Sequence, residues 1–313
     1  MRCSVVIPLY NKAAFIGEAM ASALSQTHRP YEVIVIDDGS TDGGGEIVRA
    51  IDDARVRYVR QDRKGVSAAR NLGIALARGD LVSFLDADDW YLPRFLETVT
   101  AMATAHPGIA FFGTGYRRVE SARSVQAPPA PTGNVEIVRD PFRRWTGRAM
   151  ICTDSVAVRR ELLAEMQPCF PVGESLGEDL DLWFRLAERS PLAYAPEPLA
   201  CYRVGQAGSL TSAGAVSTEL LPSIVRLEHR ARSKGYPPRL RSAALRYVAE
   251  ARIATARRML LAGRRREAAC QWAHGWRAAG SVSWWATAAL LGLAPAGAAR
   301  RWQDWRERAS RSP

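Results

Sequence analysis

The chain holds 313 residues, 47% of them apolar and 24% charged, which excludes a disordered or collagen-like polymer and fits one large domain or two ordinary ones. Five cysteines without a C-x-x-C pair speak against a disulfide framework or a zinc site and read as reduced thiols. The net charge of +11 is lopsided: residues 1–218 carry 24 basic and 26 acidic side chains, residues 219–313 carry 19 and 6. A basic C-terminal third implies an anionic partner or, equally, a solvated helical face.

The opening Met1-Arg2-Cys3 leads straight into Ser4-Val5-Val6-Ile7-Pro8, too short an apolar run for a secretory signal, so a cytoplasmic protein is expected. Ser4 to Leu9 reads as a strand and Ala13 to Leu24 as a helix with Phe15, Ile16, Ala19, Met20 and Ala23 on one side. Tyr31 to Ile36 is a second strand, Gly45 to Ile51 a short helix, Val56 to Val59 a third strand. Ser67 to Ala77 is helical, and Leu81 to Leu85 is a fourth apolar strand. Apolar strands alternating with helices predict an α/β fold, a parallel sheet covered on both faces, with ligands beyond the carboxyl ends of its strands. Further on, Ile109–Phe112 and Met150–Arg159 read as strands, Arg160–Met166 and Glu178–Arg189 as helices, Pro191–Arg203 as a closing strand region, and 121–134 as a loop. From about Thr218 the pattern is helical to the end.

Acidic groups sit at the predicted strand ends. Asp37-Asp38-Gly39-Ser40-Thr41-Asp42 follows the second strand; it reads as a solvated turn or as carboxylates that accept from a base or ribose. Asp86-Ala87-Asp88-Asp89 follows the fourth; its D-x-D spacing reads as a polar turn or as oxygen ligands for Mg²⁺ or Mn²⁺. In Gly177-Glu178-Asp179 a glycine loop meets a helix, where acids complement the helix dipole or one of them acts as a general base. Arg70, between the two acidic clusters, suits a diphosphate or a surface salt bridge.

The order of these segments resembles family 2 glycosyltransferases: Ser4-Val5-Val6-Ile7-Pro8-Leu9-Tyr10-Asn11, then Asp37–Asp42, Gly65–Gly73, Phe84–Asp89 and Gly177-Glu178-Asp179. It covers roughly residues 3–205. The resemblance implies a GT-A fold, that is, a Rossmann-like, mostly parallel sheet flanked by helices, followed here by an α-helical C-terminal tail. It implies a catalytic domain over 1–215, with a nucleotide-binding half to about 105 and an acceptor half over 106–215, and a basic helical region over 216–313. Carried over, Pro8, Tyr10 and Asn11 line the nucleotide pocket, Asp38 bonds the base, and Asp86 with Ala87 meets the ribose or a metal-bound water. Asp88 ligates Mg²⁺ or Mn²⁺, Arg70 lies near the diphosphate, Asp179 is the catalytic base and Glu178 contacts acceptor or backbone. The implied activity is metal-dependent, inverting sugar transfer from a nucleotide-sugar donor, a UDP-sugar first, to a glycan or lipid-linked acceptor in cell-surface polysaccharide or glycolipid synthesis.

Two features depart from relatives of this kind. The Q-x-x-R-W motif of processive members has only an echo in Gln271-Trp272-Ala273-His274-Gly275-Trp276, read as helix packing, so transfer of one or few sugars is expected. The Cys201-Tyr202-Arg203-Val204 segment lacks the histidine that many relatives place after Tyr-Arg. Rival readings are a non-catalytic nucleotide-sugar-binding module with an interacting tail, and a nucleotidyltransferase, which would open on a glycine-rich loop with a lysine. Ser281 to Ala299 is a 19-residue stretch without a charge, between arginines and tryptophans. It reads as a packed helix, an interfacial helix on an anionic membrane surface at the inner face, or a span. No nucleic acid is expected, because the tail's aromatics cluster near its end and do not form a base-stacking platform.

Overall fold

The computed structural model describes residues 1–120, 133–146, 150–174, 176–205 and 218–293. The chain divides into two compact units, Met1–Ser212 and Ala213–Pro313.

The first unit is built on a nine-stranded sheet. Its strands are β1 (Cys3–Leu9), β2 (Glu32–Asp37), β3 (Val56–Arg60), β4 (Leu81–Phe84), β5 (Trp90–Tyr91), β6 (Phe111–Val119), β7 (Glu136–Val138), β8 (Val156–Arg159) and β9 (Leu192–Arg203). They lie in the order β3-β2-β1-β4-β8-β6-β9-β5, with β7 also paired to β9. The first four run parallel, and β6 and β9 share their direction; β5, β7 and β8 oppose it. β1, β2 and β4 are buried along their whole length, which is why their sequences are continuous apolar runs and do not alternate. β1 pairs with β2 on one side and β4 on the other, so the strand order reverses there and opens a crevice at the carboxyl ends.

Helices α1 (Ala13–Leu24), α2 (Gly44–Arg49), α3 (Val66–Leu76) and α4 (Phe95–Ala105) flank this sheet. α1 buries Ile16, Ala19, Met20 and Ala23 in the same core as Val5, Ile7 and Leu9. Each large apolar side chain so buried contributes about 1.5–3 kcal/mol. α3 sits hard against β1: a Cβ on Gly73 would fall 2.2 Å from Val6 Cγ1, so only glycine permits that approach. On the other half lie α5 (Pro141–Trp145), α6 (Arg160–Glu165) and α7 (Glu178–Arg189). Phe84, Phe111, Phe170 and Trp183 form an aromatic layer there, with Phe84 and Phe170 edge to face at 5.4 Å and Phe111 stacked on Trp183 at 6.0 Å.

One stretch differs from the sequence expectation. Met150–Arg159 is not a single strand: a 3₁₀ turn at Thr153–Ser155 precedes β8. Ser155 Oγ accepts from Cys152 N at 2.9 Å, and the Asp154 carboxylate accepts a backbone N–H from Asp86. These side-chain bonds, one local and one to Asp86, replace the ladder bonds a strand would make.

The second unit is helical: α8 (Pro222–Arg232), α9 (Pro238–Leu261), α10 (Arg265–His274), a 3₁₀ turn at Trp276–Ala278, and α11 (Val282–Leu293). α8 and α9 both begin at proline, whose missing N–H costs nothing at a first helical position. Its cores are small. Ala256, Met259, Leu260 and Ala268 pack with Leu290 and Leu291; Ala249, Ile253 and Ala278 pack with Trp284; Trp272 touches both groups. Among the described residues no helix is long and apolar enough to cross a membrane. The uncharged run 281–299 extends past α11 and ends outside the described residues.

Candidate active site

The ends of β1 and β2 are knitted together first. Pro8 is buried, Tyr10 half-buried, and Asn11 takes a positive φ of 48°, a conformation asparagine tolerates better than most residues. Asn11 N donates to Ser40 Oγ at 3.1 Å, and Asn11 Oδ1 accepts from Thr41 N at 2.9 Å. Asp37 is a structural anchor: its carboxylate accepts from Tyr58 Oη at 2.5 Å and Ser40 N at 2.8 Å, and Arg60 stands 3.3 Å away. Burial alone would raise its pKa, but these donors and the Arg60 charge hold it below the ordinary aspartate value. Asp38 accepts three bonds from one loop, from Gln61 Nε2 at 2.7 Å, Lys64 N at 2.7 Å and Gly65 N at 2.8 Å. In the same neighbourhood the Arg63 guanidinium lies 4.6 Å from the Tyr10 ring centroid.

The second cluster follows β4. Asp86 Oδ1 accepts from Arg70 at 2.6 Å, and Asp86 N donates to Asp154 Oδ1 at 2.7 Å. Ala87 is buried, as the close turn requires. Asp88 points elsewhere: its carboxylate holds Lys12 Nζ at 2.6 Å. Asp89 is buried and accepts from Arg203 N at 2.6 Å, while Arg203 Nε donates to the Asp88 carbonyl at 2.8 Å. Arg203 is itself fixed by an ion pair with Glu18 and by the Phe15 and Trp90 rings at 4.9 and 4.7 Å. The Tyr202-Arg203 segment thus clamps the acidic turn without a following histidine.

Asp86, Asp89 and Asp154 each offer a carboxylate oxygen, and the three oxygens lie within 4.8 Å of one another. Asp154 is a functional candidate that the sequence reading missed. It is fully buried, and burial, with the Asp86 charge adding, pushes it up to about 7. Asp89 is raised too, by burial first and then by Asp154 and Asp86. Burial and mutual repulsion therefore favour a proton shared within the cluster, or a cation in its place. All the donor atoms are hard oxygens, the set that suits Mg²⁺ or Mn²⁺.

The third cluster opens α7. Gly177 caps the helix with a left-handed φ of 72°, and Glu178, Asp179 and Asp181 occupy the first turn, where the helix dipole favours them. Glu178 Oε1 accepts from Arg70 at 2.7 Å. Burial raises the Glu178 pKa against the pull of that guanidinium. Arg70 itself stays firmly charged: burial disfavours the cation, but Asp86 and Glu178 more than offset it. Asp179 Oδ2 accepts from Thr153 Oγ1 at 3.2 Å, its other oxygen from Leu180 N at 2.8 Å.

The structure therefore brings Asp86, Glu178 and Asp179 together, through Arg70 on one side and the Thr153-Asp154 turn on the other. Asp88 stands beside this group on Lys12, and Pro8, Tyr10, Asn11 and Asp38 form the neighbouring rim over β1 and β2.

Comparison with known proteins gives the family and the fold of the chain. The family model Glycosyl transferase family 2 matches residues 4–166. A Nostoc protein named uncharacterized glycosyltransferase alr2836 is 27% identical over 227 residues, 70% of each chain. The chain spans only about a third of the length of two Rickettsia relatives that it also matches, at 33% each. Among solved structures, S. aureus TarS 1–349 has a TM-score of 0.62 at 15% identity, covering 88% of this chain and 89% of that one. The same fragment is also solved with UDP-GlcNAc. The mannosyltransferase PcManGT from Pyrobaculum calidifontis, solved with GDP-Man and Mn²⁺, has a TM-score of 0.61 at 22% identity, covering 96% of this chain and 82% of that one. These likenesses carry the fold, and the family match with the named relatives carries the class: the chain belongs to glycosyl transferase family 2, a family of sugar-transferring enzymes.

Proposed function

We propose that the protein moves one sugar from a nucleoside-diphosphate donor to a hydroxyl acceptor, with inversion at the anomeric carbon, in the assembly of a cell-surface polysaccharide or glycolipid. The observation that carries the reading is the meeting of the acidic turn after β4 with the Glu178-Asp179 helix start at one sheet edge. In this reading Pro8, Tyr10, Asn11 and Asp38 hold the base, and Asp86 and Ala87 the ribose side. Asp86, Asp89 and Asp154 would hold Mg²⁺ or Mn²⁺, joined by Asp88 once its carboxylate leaves Lys12. The bound cation supplies Lewis-acid neutralisation of the diphosphate leaving group.

Asp179 takes the acceptor's proton as its oxygen bonds to the anomeric carbon. The bond from that carbon to the diphosphate breaks, and its electron pair leaves with the nucleotide. A single carboxylate opposite the leaving group gives one in-line displacement, parallel to inverting sugar hydrolysis with an alcohol in place of water. Glu178 orients the acceptor side of this pair.

The C-terminal unit extends the reading to a partner. Residues 219–313 carry 19 basic and 6 acidic side chains, and Val282, Trp285 and Trp276 are exposed, the tryptophans by 64% and 60%. This combination suits a peripheral site on an anionic membrane at the inner face, where a lipid-linked acceptor resides. Sedimentation with vesicles rich in anionic lipid tests it: salt-sensitive binding is expected, and indifference to the vesicles removes the membrane.

The donor is tested by thermal unfolding with UDP- and GDP-sugars, with and without Mn²⁺. A ligand at about 100 times its dissociation constant adds roughly 2.7 kcal/mol. A Mn²⁺-dependent rise with at least one nucleotide sugar is expected; no rise with any of them overturns the reading.

A further inference from the structure

We propose that Arg70 is a positioning residue, a buried strut that sets the start of α7 against the acidic turn after β4, and not a contact for the donor diphosphate. This inference rests on the transferase reading above. The Arg70 side chain is only 4% exposed, and both of its terminal nitrogens are engaged, one by Asp86 at 2.6 Å and one by Glu178 at 2.7 Å. Phe170 closes over the guanidinium at 5.3 Å. Its Nε has no hydrogen-bond partner among the described residues and is sealed from solvent. A diphosphate arriving from solvent would have to open both ion pairs to reach this group, whereas a two-pronged planar cation between two carboxylates matches the geometry already present.

The neighbours of Arg70 on α3 have the same orientation of work. Ser67 Oγ donates to the Glu174 carbonyl at 2.8 Å. Asn71 Nδ2 donates to the Phe170 carbonyl at 2.7 Å, and Phe170 N returns a bond to Asn71 Oδ1 at 2.9 Å. Positions 67, 70 and 71 share one helix face at spacings of three and four residues. That face holds Phe170, Glu174 and Glu178. α3 in turn cannot drift, because Gly73 lets it seat directly on Val6 of β1. A rigid path therefore runs from the central strand through Arg70 to Glu178, and the next residue in the chain is Asp179. Displacing a reacting group by about 1 Å costs on the order of 10²-fold in rate.

The strut makes a separable prediction. Arg70→Lys keeps the charge but loses the fork. It is expected to bind UDP with Mn²⁺ within about threefold of wild type by calorimetry while sugar transfer falls on the order of 10²-fold. Glu178→Gln is expected to show the same split. The double variant Arg70→Lys/Glu178→Gln is expected to be no slower than the slower single, because both act through one contact. A tenfold or greater loss of UDP affinity in Arg70→Lys, or a double variant whose loss is the product of the singles, overturns the proposal. Should wild type bind neither UDP nor GDP, the transferase reading fails on its own. The strut is then read from urea unfolding of the same four proteins, where non-additive losses support it and additive losses overturn it.

Discussion

The two units of this molecule handle charge in opposite ways. In the helical unit the acids are matched or outnumbered by arginines: Glu228 pairs with both Arg232 and Arg252, and Glu267 with Arg264. Burial would raise the Glu228 pKa, yet its two arginines hold it below the ordinary value. At the sheet edge of the first unit the balance is reversed. Asp86, Asp89 and Asp154 crowd together with Arg70 as their nearest compensating cation, and Asp89 and Asp154 are pushed upward. Matched charge fastens helices; unmatched charge, held in place by the fold, is a reservoir that a cation and a charged ligand can relieve.

That contrast can be broken at several points. The largest effect is expected at the proposed catalytic pair: Asp179→Asn keeps nucleotide binding and lowers turnover on the order of 10²–10⁴-fold, and near-normal turnover in that variant takes Asp179 out of the mechanism. Next comes the cluster. Asp154→Asn removes one of the crowded charges without changing shape, and the Mn²⁺ concentration needed for nucleotide binding is expected to rise about 10–100-fold; an unchanged Mn²⁺ titration would separate the cluster from the cation. In the helical unit, Glu228→Ala leaves the half-buried Arg252 without its carboxylate, held by Gln271 alone, and is expected to cost about 1–3 kcal/mol in urea unfolding. UDP affinity should stay where it was, and a shift in it would contradict the division of labour.

The smallest effect is a pH test of matched charge inside the first unit. Glu32 accepts from Arg57 at 2.5 Å, Arg78 N at 2.7 Å and Ser4 Oγ at 2.8 Å. Burial opposes ionisation, but these donors win and its folded-state pKa is lowered. A lowered carboxylate stabilises fully above its unfolded value, roughly 4.3, and the gain is lost as pH falls through the folded value. Glu32→Gln is therefore expected to cost about 1 kcal/mol at pH 7, with the gap to wild type closing below about pH 4. A gap that persists in acid would mean that packing, and not charge, holds Glu32.

Much of the first hundred residues was legible because the signals there are local. The apolar runs of β1, β2 and β4 are bounded by turn residues, and α1 shows its buried stripe in its own sequence. α7 was likewise readable from its glycine cap to Arg189. α4 was overlooked although Phe95, Leu96, Val99, Met102 and Ala103 carry helical spacing. β5 and β7, two and three residues long, are too short to show any period. The site was legible as types and not as partners. Nothing local tells Asp88 that Lys12, 76 positions away, will hold it, or Asp38 that Gln61, Lys64 and Gly65 will fill its oxygens. Asp154 was least visible of all: it lies inside the Met150–Arg159 stretch that reads as one strand, and its meaning comes from Asp86, 68 positions earlier.

β8 runs antiparallel between β4 and β6 and carries the Asp154 turn at its entrance. The nascent chain thus finishes β1 to β4 long before the third carboxyl of the cluster exists. Until residue 159 has left the ribosome and β8 has zipped into the gap, the Asp86 backbone N–H lacks its acceptor, the Asp154 carboxylate, and β4 presents an open edge. Assembly of this acidic edge is thereby deferred to the moment the two halves of the sheet join.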